Sequence, residues 1–330
     1  MTASSLRILV TGATGALGRR VVGRLLAEGH TIRILTRRPF AAERLFANAV
    51  EAVEWHPLSG TVPDTALTDL DAIVHLAGEP FAGAADADRR RRMRTSRLRL
   101  AERLAVAARN AGLRLIVTSV VLPAFGKSSG EVMTDQSPRS PPTTDFERDI
   151  LDVEAACNAL GSGGASLAIV RLGILLEAGP LLRDLVRLSQ RGQIPHMAGA
   201  LIPAIDPDDA AALLTGLIAH RDMAGPLIGV APEPLKGEFL QTALGHYNKL
   251  PLGLPAPAAR VERRVGPLAH LLYNRTRVVP QRLLDAGAGF KNADLEASLT
   301  RALAAMSDVQ PAQPAVGSRL IARLRPRAAK

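Results

Sequence analysis

A single cysteine, Cys157, stands in 330 residues, so no internal disulfide can form. No Cys/His cluster shows the spacing of a zinc site. A reducing cytoplasm is the expected compartment. Aromatic residues make up only 3% of the chain, which leaves Leu, Val, Ile and Ala to build the core. Alanine and leucine favour helices, and Val/Ile runs favour buried strands. No uncharged apolar stretch approaches the roughly 20 residues that a bilayer span needs. Met1–Arg7 does not read as a secretory leader, because a strand-like run begins at once with no basic segment ahead of it. Lysine is scarce too: five lysines, at 127, 236, 249, 291 and 330, stand among 41 basic residues. Arginine therefore carries the net charge of +10. Such charge can serve nucleic-acid or acidic-membrane binding. Here the basic residues are scattered, and no aromatic residues interleave with them as a stacking surface requires. Solvated, arginine-rich helix faces account for them, and no nucleic-acid partner is expected.

A hydrophobic content of 47% over this length is enough for a large core, in two domains or in one domain with a sizeable lobe. Leu6–Thr11 is a short apolar run ending at Gly12, a first strand. Ala16–Glu28 carries Leu17, Val21, Val22, Leu25 and Leu26 at helical spacing, and Gly29 closes that helix. Further strands are expected at Thr31–Thr36, Val53–His56, Asp71–Leu76, Leu113–Val121 and Ser166–Arg171. Helices are expected at Arg89–Asn110, Thr144–Leu160 and Leu181–Arg191, with a Pro/Gly/Ser-rich loop at Pro123–Pro142. Strand and helix thus alternate through the first half of the chain. The predicted fold class is α/β: a doubly wound parallel sheet of the Rossmann kind, covered on both faces.

After about residue 180 the rhythm breaks. Helices at Asp208–His220, Lys236–Gly245, Pro280–Ala286 and Asp294–Met306 and a short strand at Leu227–Val230 read as a smaller C-terminal α+β lobe. The expected division is a nucleotide-binding domain over 1–180, to which later segments can return, and a lobe over 181–306 that supplies the substrate pocket. The tail 307–330, ending in the basic stretch Arg319–Lys330, reads as disordered, with a membrane-surface amphipathic segment as the alternative.

Between the first strand and the first helix lies Gly12-Ala13-Thr14-Gly15-Ala16-Leu17-Gly18. Glycine spacing of this kind gains its meaning from that strand–turn–helix context. Gly12 permits the tight turn, Gly15 lets the backbone approach a pyrophosphate, and Gly18 lets the helix pack on the sheet. The helix N-terminus adds free N–H groups and a partial positive charge. The expected cofactor contacts are Gly12, Thr14, Gly15, Ala16, Leu17 and Gly18, then Thr36, Arg37 and Arg38 at the end of the second strand, and Leu76, Ala77 and Gly78 at the end of the fourth. An NAD site carries Asp or Glu where this chain reads Leu35-Thr36-Arg37-Arg38. Two guanidiniums there, with Arg19 or Arg20 as a third, select NADP(H) over NAD(H). Each charge-assisted bond to a phosphate contributes roughly 1.5–3 kcal/mol, so two of them favour NADP(H) on the order of a hundredfold.

Thr11–Gly18 followed by Asp71-Ala72-Ile73-Val74-His75-Leu76-Ala77-Gly78 resembles the extended or atypical short-chain dehydrogenase/reductase superfamily. Within it the chain is similar to the epimerase family protein subgroup, NAD(P)-binding proteins with a C-terminal domain of unknown function. The narrower likeness rests on Glu79-Pro80, Ser96-Arg97, Arg171-Leu172-Gly173-Ile174-Leu175-Leu176, Arg277–Gly287 and Leu295–Leu299. Ile205-Asp206-Pro207-Asp208-Asp209 resembles the subgroup's Ile-His-Val-Asp-Asp, with Asp206 in place of His.

The resemblance implies hydride exchange at a nicotinamide, with a Tyr moving the proton and a Lys four residues on lowering its pKa. This chain departs from that pattern. Its two tyrosines, Tyr247 and Tyr273, lie far from the expected helix, and neither has a Lys four positions later. Phe125 aligns with a subgroup tyrosine and cannot move a proton. Ser119 is the candidate to hold a substrate oxygen, in a register that also admits Thr118 or Val120. Glu79 is the candidate acid beside the nicotinamide, and Lys127, Glu131 and Asp145 are within reach from the loop and helix after the fifth strand. His75 reads as a core or second-layer residue and Cys157 as helix packing. Two functions follow. One is an NADP(H)-dependent oxidoreductase or epimerase without the Tyr-x-x-x-Lys pair, acting on a small molecule that is expected to be apolar. The other is a catalytically degenerate NADP(H)-binding sensor or scaffold.

Overall fold

The computed structural model describes residues 5–58, 60–80, 87–109, 111–123, 132–139, 141–142, 144–220, 222–249 and 255–307. Phe125, Lys127, Glu131 and the tail from 308 lie outside the described residues.

Seven parallel strands form the central sheet. In chain order they are β1 (Arg7–Thr11), β2 (Thr31–Thr36), β3 (Glu51–Glu54), β4 (Ala72–His75), β5 (Leu115–Val121), β6 (Ser166–Leu172) and β7 (Gly225–Gly229). Their spatial order is β7-β6-β5-β4-β1-β2-β3. The chain therefore winds outward from β1 in one direction and then, from β4, in the other. The reversal between β1 and β4 leaves a crevice at their carboxyl ends, which is where ligands enter such sheets.

Strand residues alternate between two covering layers. Ile8 and Val10 face α1 (Ala16–Ala27) and α6 (Pro207–Gly216), through Val21, Val22, Leu25, Ala210 and Leu214. Leu9, Ile73 and Ile116 face α3 (Ala87–Ala108) and α4 (Asp145–Asn158), through Leu100, Leu104, Val153 and Cys157. Local signals fix the ends of these helices. Thr144 and Glu147 form a reciprocal capping box that starts α4. Past α1, the Gly29 and His30 amides return to Leu26 and Leu25, with Gly29 at φ +84°, the left-handed closure that glycine favours.

A third apolar cluster belongs to the C-terminal lobe. It joins α5 (Pro180–Ser189), α7 (Gly237–Asn248), α8 (Ala258–Val265), α9 (Ala269–Leu272) and, after the short α10 (Gln281–Asp285), α11 (Leu295–Ser307) through residues such as Leu185, Leu240, Leu244, Val261, Leu271 and Leu299. The chain does not pass cleanly from sheet to lobe at 180. It enters the lobe with α5, returns to cover α1 with α6 and to add β7 beside β6, and then re-enters the lobe. The strand expected at Val53–His56 forms earlier, at Glu51–Glu54, and the helices α2 (Pro39–Leu45) and α8 had no counterpart in the expectations. Among the described residues no helix is long and apolar enough to cross a membrane.

Candidate functional site: a dinucleotide cleft

The turn after β1 is shaped by the absence of side chains. Gly12 sits at φ +73°, and a Cβ there would stand 2.7 Å from the Leu76 carbonyl carbon. A Cβ on Gly18 would press on the Gly12 carbonyl oxygen and lie 2.8 Å from Ala13 Cα, so this glycine lets α1 seat against the turn. Gly15 differs: a Cβ there would approach only Gly12 O, at 3.3 Å, and otherwise face open space. It is the N-cap of α1, without a side-chain cap and without an acidic residue in the first turn. The amides and the positive end of the helix dipole are thus left for an external anion. This geometry fits the paired phosphates of a dinucleotide.

From this turn a cleft of about 300 Å³ runs along the carboxyl ends of the strands. Gly12, Gly15, Ala16, Leu17 and Gly18 line one end, and Leu76 and Ala77 of the β4 end line it next. Ser119, Val120 and Val121 of β5 and Leu172–Leu175 follow, and Leu181 and Leu268 of the lobe close it. Thr14, Thr36, Arg37, Arg38 and Gly78 are not in this lining; Arg37 and Arg38 are exposed just beyond the end of β2. Neither guanidinium makes an ion pair or hydrogen bond among the described residues. Thr36 is opposite Glu54 in the β2–β3 register, and the Glu54 carboxylate is held by His56 at 3.0 Å. Arg20, a candidate third cation, is turned away to Asp208 on α6 at 2.9 Å. Arg19 remains exposed beside the turn.

Beneath the cleft, His75 Nδ1 lies 2.7 Å from Thr11 Oγ1, and Thr118 Oγ1 donates to the His75 carbonyl. Burial, and then the charge of Arg97, push the His75 pKa down to about 4, so the ring is neutral. His75 and Thr118 join β1, β4 and β5 below the site. Of the three positions open for the β5 hydroxyl, Ser119 and Val120 reach the cleft and Thr118 does not. Cys157 packs 4.0 Å from Thr118, and burial pushes its thiol up to about 11.

Two expected acids are not brought to the cleft. Glu79 is exposed, 3.9 Å from Arg92, although its neighbour Pro80 lines the cleft. Asp145 lies at the exposed start of α4 between Arg148 and Arg90, which hold its carboxyl below the usual range. Neither tyrosine lines the cleft. The Tyr273 hydroxyl is buried in the lobe without a partner among the described residues, and burial pushes its pKa up to about 12.

Two charged residues of the cleft went unassigned at the sequence level: Arg97 of α3 and Glu177 after β6. Arg97 had a signal. It lies four residues from Met93 and three from Leu100, on the buried face of α3, where an arginine is out of pattern. Glu177 had none, being one polar residue after an apolar run. Among the described residues no group of three or more His, Cys, Asp or Glu side chains could hold a metal ion.

The match to a family model for the NAD dependent epimerase/dehydratase family runs over residues 8–187, from β1 through most of α5. The chain belongs to this family. Its relatives share nearly its whole length. It is 28% identical to the epimerase family protein Mb2239 of Mycobacterium bovis, over 86% of this chain and 93% of the relative. It is 27% identical to human epimerase family protein SDR39U1, over 91% of this chain and all of the relative. The crystal structure of human SDR39U1 (isoform 2) with NADPH superposes with a TM-score of 0.73 at 25% identity, covering 91% of this chain and 99% of that one. A UDP-glucuronic acid 4-epimerase from Bacillus cereus, solved with NAD, superposes at 0.74 with 13% identity over 92% and 100%, which shows the shared fold. The family and the doubly wound parallel sheet are therefore as the sequence motifs implied, whereas the strand expected at Leu227–Val230 in the lobe instead joins the sheet as β7.

Proposed function

We propose that this protein is an NADP(H)-dependent oxidoreductase or epimerase that works without a Tyr-x-x-x-Lys pair on a small molecule with an apolar body. The observation that carries this reading is the continuity of one cleft from the bare glycine turn, past Ser119, to the lobe leucines Leu181 and Leu268. A nicotinamide cofactor supplies hydride chemistry when bound. The chain's own residues seat it: Gly12, Gly15 and Gly18 leave room for the phosphates, and the first amides of α1 face them. Arg37 and Arg38, exposed just beyond β2, supply cations for a 2′-phosphate in this reading, and its support is that SDR39U1 was solved with NADPH. Ser119 can donate to a substrate oxygen, and water completes the proton transfer. Val120, Val121, Leu172 and Ile174 exclude bulk water from that end. A cytoplasmic setting accords with the lone, buried thiol of Cys157.

The competing function is an NADP(H)-binding sensor, favoured by one observation: α4 (Asp145–Asn158) contains neither Tyr nor Lys. Two measurements decide. Titration with NADPH and NADH, followed by nicotinamide fluorescence, is expected to show NADPH binding tighter. Failure of both to bind at millimolar levels removes both functions. Transfer of label from the C4 position of NADPH to a panel of carbonyl compounds then separates enzyme from sensor.

A further inference from the structure

The first turns of α1 and α5 meet the cleft in the same way. Each helix starts on a glycine without a side-chain cap, Gly15 and Gly179, and both glycines line the cleft. Each carries an arginine four residues on. The Arg19 amide donates to the Gly15 carbonyl at 2.9 Å, and the Arg183 amide donates to the Gly179 carbonyl at 3.1 Å. Between the two turns stands Glu177. Its carboxylate lies against Gly179, where a Cβ would stand 2.9 Å from Oε1, and 3.8 Å from Arg20 of α1. One carboxylate thus spans the gap between the sheet side and the lobe side of the cleft. Arg20, Arg19 and Arg183 all act on its charge. Arg20 is engaged by Asp208 at 2.9 Å and by the Ala16 carbonyl at 3.2 Å. Asp184, next to Arg183, is buried and takes Arg264 at 3.1 Å. The side chains of Arg19 and Arg183 are exposed and make no ion pair or hydrogen bond among the described residues.

Arg183 lies three residues past the cleft-lining Pro180, on the same face of α5. A guanidinium at that rim is placed for an anion inside the cleft, and its fork suits phosphate oxygens. The anion that the glycine turn fits is the diphosphate of a dinucleotide. We propose that Arg183 is a cofactor-binding residue supplied by the lobe, its guanidinium reaching from α5 to the diphosphate seated on the Gly12–Gly18 turn, opposite Arg19. This rests on the function proposed above and adds a binding residue that lies outside the glycine motif. The bound dinucleotide then bridges α1 and α5 and ties the lobe to the sheet. In the free protein Glu177 is the anion whose charge Arg183 reaches. A diphosphate carries more charge than one carboxylate and takes the guanidinium over. Arg183 acts by binding and orientation, and no covalent step is assigned to it.

The test titrates the full chain with NADPH and with NADH, followed by nicotinamide fluorescence. Both nucleotides carry the diphosphate, and only NADPH carries the 2′-phosphate. Arg183→Ala is expected to weaken both by the same factor, about fivefold or more, and Arg183→Lys should keep part of the affinity. The loss should shrink as salt screens the exposed guanidinium. Arg191, an exposed arginine past the end of α5, gives the control for net charge. Arg191→Ala should change neither affinity by more than about twofold. Unchanged binding in Arg183→Ala overturns the proposal. So does loss of NADPH alone, which would put Arg183 on the 2′-phosphate. So does an equal loss in Arg191→Ala, which would make the effect one of net charge. In all three cases the unmodified chain still binds, and the dinucleotide reading stands. Failure of the unmodified chain to bind either nucleotide defeats that reading and this proposal with it, so the two failures are distinguishable.

Discussion

Glu177 places a carboxylate oxygen 3.8 Å from the guanidinium of Arg20, in the same cleft that is bare of side chains at Gly15. A negative charge so near a diphosphate seat opposes the ligand. Burial raises the Glu177 pKa, and Arg20, Arg19 and Arg183 oppose that rise without cancelling it. Asp208 draws Arg20 partly away from it. A bound diphosphate must raise the pKa further, so cofactor binding takes up a proton. The same sign holds for stability. The neutral carboxyl suits the fold, its contribution is complete below the ordinary carboxylate pKa, and it is lost as pH rises through the raised value. NADPH affinity is therefore expected to fall as pH rises through that pKa. Glu177→Gln should tighten binding on the order of tenfold at high pH and flatten the profile. Parallel profiles for the two proteins would show that Glu177 is not the group.

Arg37 tests the choice of cofactor. Arg37→Ala removes a cation that makes no ion pair or hydrogen bond among the described residues, so it should not disturb the fold. A charge-assisted bond to a 2′-phosphate contributes roughly 1.5–3 kcal/mol, a factor of about ten or more. NADPH should weaken by that factor and NADH should not change. Equal losses for both nucleotides would assign Arg37 to something common to them, such as the adenine ribose or the diphosphate.

Local features of the chain carried most of the fold. The apolar runs of β1, β4, β5 and β6 are buried on both faces and so read clearly as strands. β3 lies at the sheet edge, with no residue fully buried, and its weak pattern let the expected strand slip toward Trp55 and His56. The return of Gly225–Gly229 to the sheet depends on pairing with Ala168–Leu172, more than fifty residues earlier, which no local period records. The glycine end of the cleft was legible because glycine spacing is a local property. Its lobe end was not, because Leu181 and Leu268 come to one cleft with Ser119 only through packing of the lobe. Glu79 shows the converse: its place next to Ala77-Gly78 suggested the cleft, but one turn of backbone sends its carboxylate to Arg92.

Arg171 and Glu154 tie α4 to β6 behind the cleft. Both are 4% exposed, and the guanidinium donates two bonds to the carboxylate at 2.7 and 2.9 Å, with Arg139 adding a third at 3.0 Å. Removing the charge of one partner strands the other in a dry site. Glu154→Gln should cost about 3–5 kcal/mol in urea unfolding, whereas Glu154→Leu combined with Arg171→Met should cost far less. If the single change proved nearly silent, water would have to reach Arg171, and the description of that layer as closed would be wrong.

Gly15 and Gly18 separate binding from folding. At Gly18 an added methyl meets Gly12 O and Ala13 Cα inside the packed turn, and Gly18→Ala should cost about 1–3 kcal/mol as an overpacking change. At Gly15 the methyl meets only Gly12 O at 3.3 Å and points into the cleft. Gly15→Ala should therefore cost the fold about 1 kcal/mol or less, the scale of an N-cap change. The ligand meets that methyl directly, because the phosphates need the space it fills, so NADPH affinity should drop by about tenfold or more. Urea unfolding and fluorescence titration on the same two variants give the two axes. A Gly15→Ala protein that binds NADPH as tightly as the unmodified chain would place the diphosphate somewhere other than this turn, and the dinucleotide assignment would not survive it.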